Sequence, residues 1–202
     1  MADLRNAWPT LREAGWRTFL AKALDATVYS RLILYTRPVG DAPAPALPPS
    51  VSAGWVASER VAALERDRPG ITAAARERAT RGDRCFAIEL DGELRNVRWI
   101  AVGRAWIDHL SLELPLGPHG AYHYDLWTHP EARRRGLSAL GDRALLAELA
   151  RAGVTGVTRA IAPWNAAGIG SARAAGFREA GSAWRVGLGA LAWRGVRRRP
   201  LT

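Results

Sequence analysis

The segment Thr128-His129-Pro130-Glu131-Ala132-Arg133-Arg134-Arg135-Gly136-Leu137-Ser138 constrains this chain more than any other. Before it, Ala121 to Thr128 follows Pro118 and Gly120, is rich in aromatics and reads as a strand. After it, Leu137, Leu140, Leu145, Leu146 and Leu149 recur at helical spacing until Gly153 supplies a stop. A strand that turns through arginines and a glycine into a long helix forms a cradle for anions. The first N–H groups of a helix have no intrahelical partner and sit at the positive end of its dipole, where phosphate oxygens are well held. Gly136 lets backbone approach a ligand closely, Arg133, Arg134 and Arg135 add charge around the same point, and Leu137 and Ser138 open the helix.

The remaining elements are read by the same signals. Trp16, Phe19, Leu20 and Leu24 lie at helical spacing within Leu11 to Leu24, with Arg12, Arg17 and Lys22 between them, an amphipathic helix. Arg31 to Tyr35 reads as a first strand, and residues 41–50, with Pro43, Pro45, Pro48 and Pro49, as a surface loop. Ser58 is placed to cap a helix running to about Arg66, and a second helix follows Pro69 and Gly70 to about Arg81. Cys85 to Leu90, the dipeptide Asp91-Gly92 and an extended run toward Trp106 predict a hairpin. Val154 to Ile161 is a strand, Asn165 to Ala175 a short helix ended by Gly176, and Ser182 to Arg197 one or two closing strands. The order predicts an α+β fold with a mixed sheet, carried by residues 1–202 as a single domain.

Composition narrows the function. Hydrophobic residues make up 48% of 202, so the low-hydrophobicity signature of disorder is absent. The net charge of +10 is carried almost wholly by arginine, which favours an anionic ligand. The same charge, with nine tryptophans, keeps nucleic-acid binding in view as a competitor; those tryptophans lie singly, and Trp16, Trp99 and Trp106 fall in segments that need core, so no nucleic-acid partner is expected. A lone cysteine, Cys85, leaves no intramolecular disulfide and reads as a small buried hydrophobe. The four histidines have no metal-ligand spacing, so no metal is expected. No run is apolar enough to span a bilayer or to act as a secretory segment, which predicts a cytoplasmic protein with no transmembrane segment.

At the Arg133 to Ser138 turn the chain resembles the GNAT N-acetyltransferases, whose pyrophosphate loop has the form Arg/Gln-x-x-Gly-x-Gly/Ala. Arg133, Gly136 and Ser138 fall on those positions, with Ser138 replacing the usual Gly or Ala. A second block follows in register: the strand from Val154, then Asn165, then Gly176-Phe177. The resemblance implies a mostly antiparallel central sheet with helices on both faces and two splayed middle strands, Tyr122 to Thr128 and Val154 to Ile161, with acetyl-CoA inserted between them as acyl-donor cosubstrate. It implies that backbone groups of Leu126, Trp127 and Thr128, and the side chain of Asn165, bond the pantetheine arm. It also implies transfer of an acetyl or other short acyl group to a primary amine of a small-molecule or peptide acceptor, by a monomer or homodimer.

Such transfer needs a neutral amine, and Tyr122, His123 and Asp125 are the candidates to take its proton. Strand alternation puts His123 and Asp125 on one face and Tyr122 and Tyr124 on the other, unless a bulge intervenes. The family often supplies a tyrosine seven residues after the asparagine to protonate the leaving thiolate; here that position is Ala172. An acyl-CoA or nucleotide-binding module of the same fold without catalytic activity therefore stays open beside the enzyme. Trp106 and Trp164 are expected to pack in the core rather than line an acceptor wall.

Overall fold

The computed structural model describes residues 29–40, 43–187 and 191–199, so the amphipathic helix expected over Leu11 to Leu24 lies outside the described residues. In chain order the strands are β1 (Tyr29–Pro38), β2 (Val51–Val56), β3 (Arg84–Leu90), β4 (Glu93–Val102), β5 (Arg104–Ile107), β6 (Leu112–Pro115), β7 (Gly120–Thr128), β8 (Gly156–Ile161), β9 (Arg178–Val186) and β10 (Trp193–Arg198). The helices are α1 (Ser58–Val61), continued as a 3-10 turn over Ala62–Leu64, α2 (Ile71–Thr80), α3 (Leu137–Arg151) and α4 (Ala166–Ala174). Within the compact units the strands pair antiparallel except for the parallel β7–β8 pair, and helices are interspersed with them, so the α+β expectation with mixed pairing holds.

Two compact units divide the described residues, 29–35, 106–114, 160–187 and 191–199 in the first and 36–40, 43–105 and 115–159 in the second. The first contains the antiparallel β9–β10 hairpin, Trp193 opposite Val186, and the helix α4. The second orders its strands β8-β7-β4-β3-β2, antiparallel except for the β7–β8 pair. Its β3–β4 hairpin turns through Asp91 (φ 53) and Gly92 (φ 78). Two successive left-handed residues are what a tight two-residue hairpin requires, and they explain the Asp-Gly signal.

Helices cover both faces of the second unit's sheet. On one, Val61, Leu64, Ile71 and Ala75 pack with Cys85, Ala87, Val97 and Trp99 from β3 and β4. On the other lies α3, whose buried stripe includes Leu145, Leu146 and Leu149. Burial of Leu145, Leu149, Phe86 and Ile88 to 2% exposure or less contributes about 1.5–3 kcal/mol for each side chain. Burial also pushes the Cys85 thiol up to about 12, which makes it an inert core residue.

Some elements differ from expectation. Ser58 does not cap α1; its hydroxyl donates to Glu59 at 3.0 Å and the helix starts after Ala57 with no side-chain cap. Glu65 turns away to accept from the backbone N–H groups of Gly70 (2.6 Å) and Thr72 (2.9 Å) at the start of α2, so the first helical segment stops short of Arg66. The extended run from Glu93 ends at Val102 because Gly103 takes φ 80. β2, an edge strand, follows the proline loop and went unread because Ser52, Ala53 and Gly54 give it no strand signal. Among the described residues no helix is long and apolar enough to cross a membrane.

Candidate active site

β7 carries the geometry on which the site depends. Its parallel ladder with β8 covers only Gly120↔Gly156, Ala121↔Val157 and Tyr122↔Thr158, while β7 itself runs on to Thr128. On its other side the register with β4 slips: Trp99 faces Tyr124, yet Val97 faces Trp127. Asp125 and Leu126 thus stand opposite Arg98 alone, and Asp125 takes φ 49, a β-bulge held by a residue type that tolerates the left-handed region.

The bulge overturns the expected alternation. His123 points to the α3 side, where its Nδ1 accepts from Arg159 Nε at 3.0 Å and lies 3.9 Å from Asp142. Asp125 points to the α2 side, where one carboxylate oxygen accepts from Arg68 and the other from Arg78. The two are on opposite faces of the sheet, because the extra residue shifts side-chain parity between them. Tyr122 and Tyr124 do share a face, stacked at 5.2 Å and 13°. The Tyr124 hydroxyl donates to Asp83 at 2.6 Å; burial first, and then that bond, push its phenol well above the usual range.

Past Thr128 the chain makes a short 3-10 turn over Pro130–Ala132, closed by the Glu131 N–H donating to His129 Nδ1 at 3.3 Å. Arg133 then reaches back, its Nε donating to the Thr128 carbonyl at 3.3 Å. Arg134 (φ 61) and Gly136 (φ 75) both adopt left-handed backbone, and α3 begins with Leu140 N–H donating to the Gly136 carbonyl at 3.0 Å. Arg133, Arg134, Arg135 and Gly136 are exposed, Leu137 is buried and Ser138 half-buried. No side chain caps this helix and no acidic residue sits in its first turn. The backbone donors and three guanidinium groups thus have no carboxylate rival in that turn, an arrangement suited to a diphosphate.

Beneath the turn lies a polar network that the sequence reading did not single out. Arg98 and Arg159 each donate to Asp142 Oδ1 at 2.5 Å, and all three side chains are at most 7% exposed. Burial pushes the Arg98 guanidinium down to about 10, partly offset by Asp142, so it stays charged at neutral pH. Arg159 moves in the same direction for the same reason. His123, 2% exposed, is held well below 6.5 by burial, then by Arg159 and Arg98.

The depressed histidine predicts acid lability. The unfolded chain takes up the imidazole proton near 6.5 and the native state only well below it, so the stabilisation is complete above 6.5 and is lost as pH falls toward the native value. Each pH unit in that window costs up to about 1.4 kcal/mol. Urea midpoints measured from pH 7.5 to 5 should fall below 6.5 in the parent and be flatter in His123→Gln.

All the site residues read from sequence lie in the second unit except Asn165. In the first unit Asn165 caps α4, its Oδ1 accepting from Gly168 N–H at 2.9 Å. A Cβ at Gly168 would meet the Asn165 amide at 2.7 Å, which accounts for a glycine so early in a helix. Ala172 is fully buried in the same helix. Trp106 and Trp164, expected in the core, are 44% and 39% exposed; Trp99 takes a core place as expected.

No family model and no curated protein matches this sequence. Solved structures do resemble it. A GCN5-related N-acetyltransferase from Kribbella flavida aligns at 18% identity and TM-score 0.53, over 88% of this chain and 65% of its own. A putative acetyltransferase from the GNAT family of Novosphingobium aromaticivorans aligns at 22% and 0.52, over 76% and 62%. A tandem GNAT protein from the clavulanic acid biosynthesis pathway aligns at 22% and 0.55, over 83% and 56%. The chain therefore has the GNAT fold, and it spans less than two thirds of the length of each of these relatives.

Proposed function

We propose that this chain is an N-acyltransferase that moves an acetyl or other short acyl group from acyl-CoA to a primary amine. The observation that carries the reading is the β7–β8 ladder that stops at Tyr122↔Thr158 while β7 continues through a bulge into the Gly136 turn. A pantetheine arm laid along β7 beyond the ladder would find backbone at Leu126, Trp127 and Thr128, and its diphosphate would reach Arg133 to Ser138. A bulge leaves a backbone group without a ladder partner, and such an N–H at Asp125 or Leu126 would polarise the thioester carbonyl. The amine nitrogen attacks that carbonyl carbon, the C–S bond breaks, the thiolate leaves and the amine proton passes to a base or to water.

The candidates divide by geometry. His123 is sealed against Arg159 on the α3 face, and Asp125 is engaged at both oxygens, so we assign both to holding the strand in place. Tyr122, at the last paired position where the β7–β8 ladder ends, is the candidate we place nearest the thioester for proton transfer. The cytoplasm is the proposed setting. Ala172 favours the second reading, an acyl-CoA-binding module without turnover. Titration calorimetry with acetyl-CoA, followed by release of free CoA in the presence of a panel of amines, separates the two. Uptake with release supports the enzyme, uptake without release under any amine supports the module, and no uptake at millimolar acetyl-CoA removes both.

A further inference from the structure

Asn96, Arg98 and Asp142 form a continuous buried path between the two lips of the Gly136 turn. Asn96 Nδ2 donates to Thr128 Oγ1 at 2.7 Å and to the Trp127 carbonyl at 3.1 Å, holding the end of β7. Its Oδ1 accepts from Arg98 Nη2, which also donates to the Ser138 carbonyl at 3.3 Å, in the first turn of α3. Arg98 Nη1 is fixed in turn by Asp142, one helical turn further on. The side chains of Asn96 and Arg98 are wholly buried.

This arrangement is a poor way to stabilise a core. Two guanidinium groups face one carboxylate, and Arg98 Nε and His123 Nε2 are buried without a hydrogen-bond partner. Desolvation of such a cluster offsets most of its Coulombic gain, and apolar side chains of similar volume generally serve stability as well or better. The helix also gives way to it. Gly141 lies in the interior of α3, where glycine is less favourable than alanine, and a Cβ there would collide with the Arg98 guanidinium.

We infer that Asn96, Arg98 and Asp142 are positioning residues that set the distance between Thr128 and Ser138, and so the width of the diphosphate cradle, with Gly141 as the notch that admits the guanidinium. The inference rests on the acyl-CoA reading above. A diphosphate grip depends on donors held to within about half an ångström, so loosening either lip weakens binding without touching the reacting atoms.

The test compares coenzyme A affinity by calorimetry, with inorganic pyrophosphate as a competing probe, in the parent, Asn96→Leu, Gly141→Ala and the triple variant Arg98→Met/Asp142→Leu/Arg159→Met. The triple variant is expected to melt at or above the parent, since it replaces a buried ionic cluster by apolar volume. All three variants are expected to bind coenzyme A about tenfold or more weakly. With an accepting amine in hand, KM for acyl-CoA should rise with kcat little changed. Parent affinity in a folded triple variant and in Asn96→Leu would overturn the inference, even where Tm has moved. Failure of the parent itself to take up coenzyme A would instead sink the acyl-CoA reading on which it stands.

Discussion

Gly136→Val is expected to weaken coenzyme A binding by about ten- to a hundredfold while leaving the fold intact. Gly136 sits at φ 75, and a left-handed residue with a side chain costs roughly 1–2 kcal/mol, more for a β-branched one. Nothing lies within 4 Å of the position a Cβ would take, so the strain meets no clash in the free protein and the backbone can relax outward. That relaxation is what harms binding. Swinging Gly136 toward an ordinary φ reorients the N–H groups of Leu137 and Ser138, the donors that a diphosphate would use. Gly136→Ala should fall between parent and valine, and calorimetry on the three proteins at one salt concentration checks the order. Equal affinity across the series would mean that the diphosphate is held elsewhere. The arginines beside it are exposed charges whose effect fades with salt, whereas the backbone cradle persists. Repeating the series at high salt should therefore leave the glycine effect and shrink the effect of Arg134→Ala.

The Gly136 turn was legible in sequence because a glycine before a leucine-periodic helix has one conformational use, and the Asp91-Gly92 hairpin was legible for the same reason. The bulge was not. Tyr122 to Thr128 alternates well enough to pass for a regular strand, and only Asp125 at positive φ reveals that His123 and Asp125 serve different faces. Arg98 and Arg159 were missed because an arginine in a strand ordinarily marks a solvent face. Two signals pointed the other way: Arg98 lies among Val97, Trp99 and Ile100 in a strand flanked by strands on both sides, and Gly141 interrupts an otherwise strong helix. A glycine that costs a helix its propensity marks something bulky opposite, and here that is the guanidinium.

Asp142→Asn should be strongly destabilising although it is nearly silent in shape. The change is nearly isosteric and keeps a carbonyl oxygen for hydrogen bonding, so packing is preserved and only charge is lost. In the parent Asp142 Oδ1 accepts from both Arg98 and Arg159, and its side chain is 4% exposed. Neutralising it takes from both buried guanidinium groups the carboxylate they share, and breaking a buried pair in this way costs about 3–5 kcal/mol. Against a total stability of roughly 5–15 kcal/mol that is a large fraction. For a chain of this size the melting temperature should drop by about 10 °C. The comparison that isolates the cause is the apolar triple variant Arg98→Met/Asp142→Leu/Arg159→Met, in which the carboxylate and both guanidinium groups are removed together. If uncompensated charge is the reason, thermal unfolding should show this triple variant melting at or above the parent while the single Asp142→Asn melts well below it, although the triple change alters three buried side chains instead of one. Asp142→Asn melting within a degree or two of the parent would mean that the guanidinium groups find solvent or another acceptor, and that the network is not sealed.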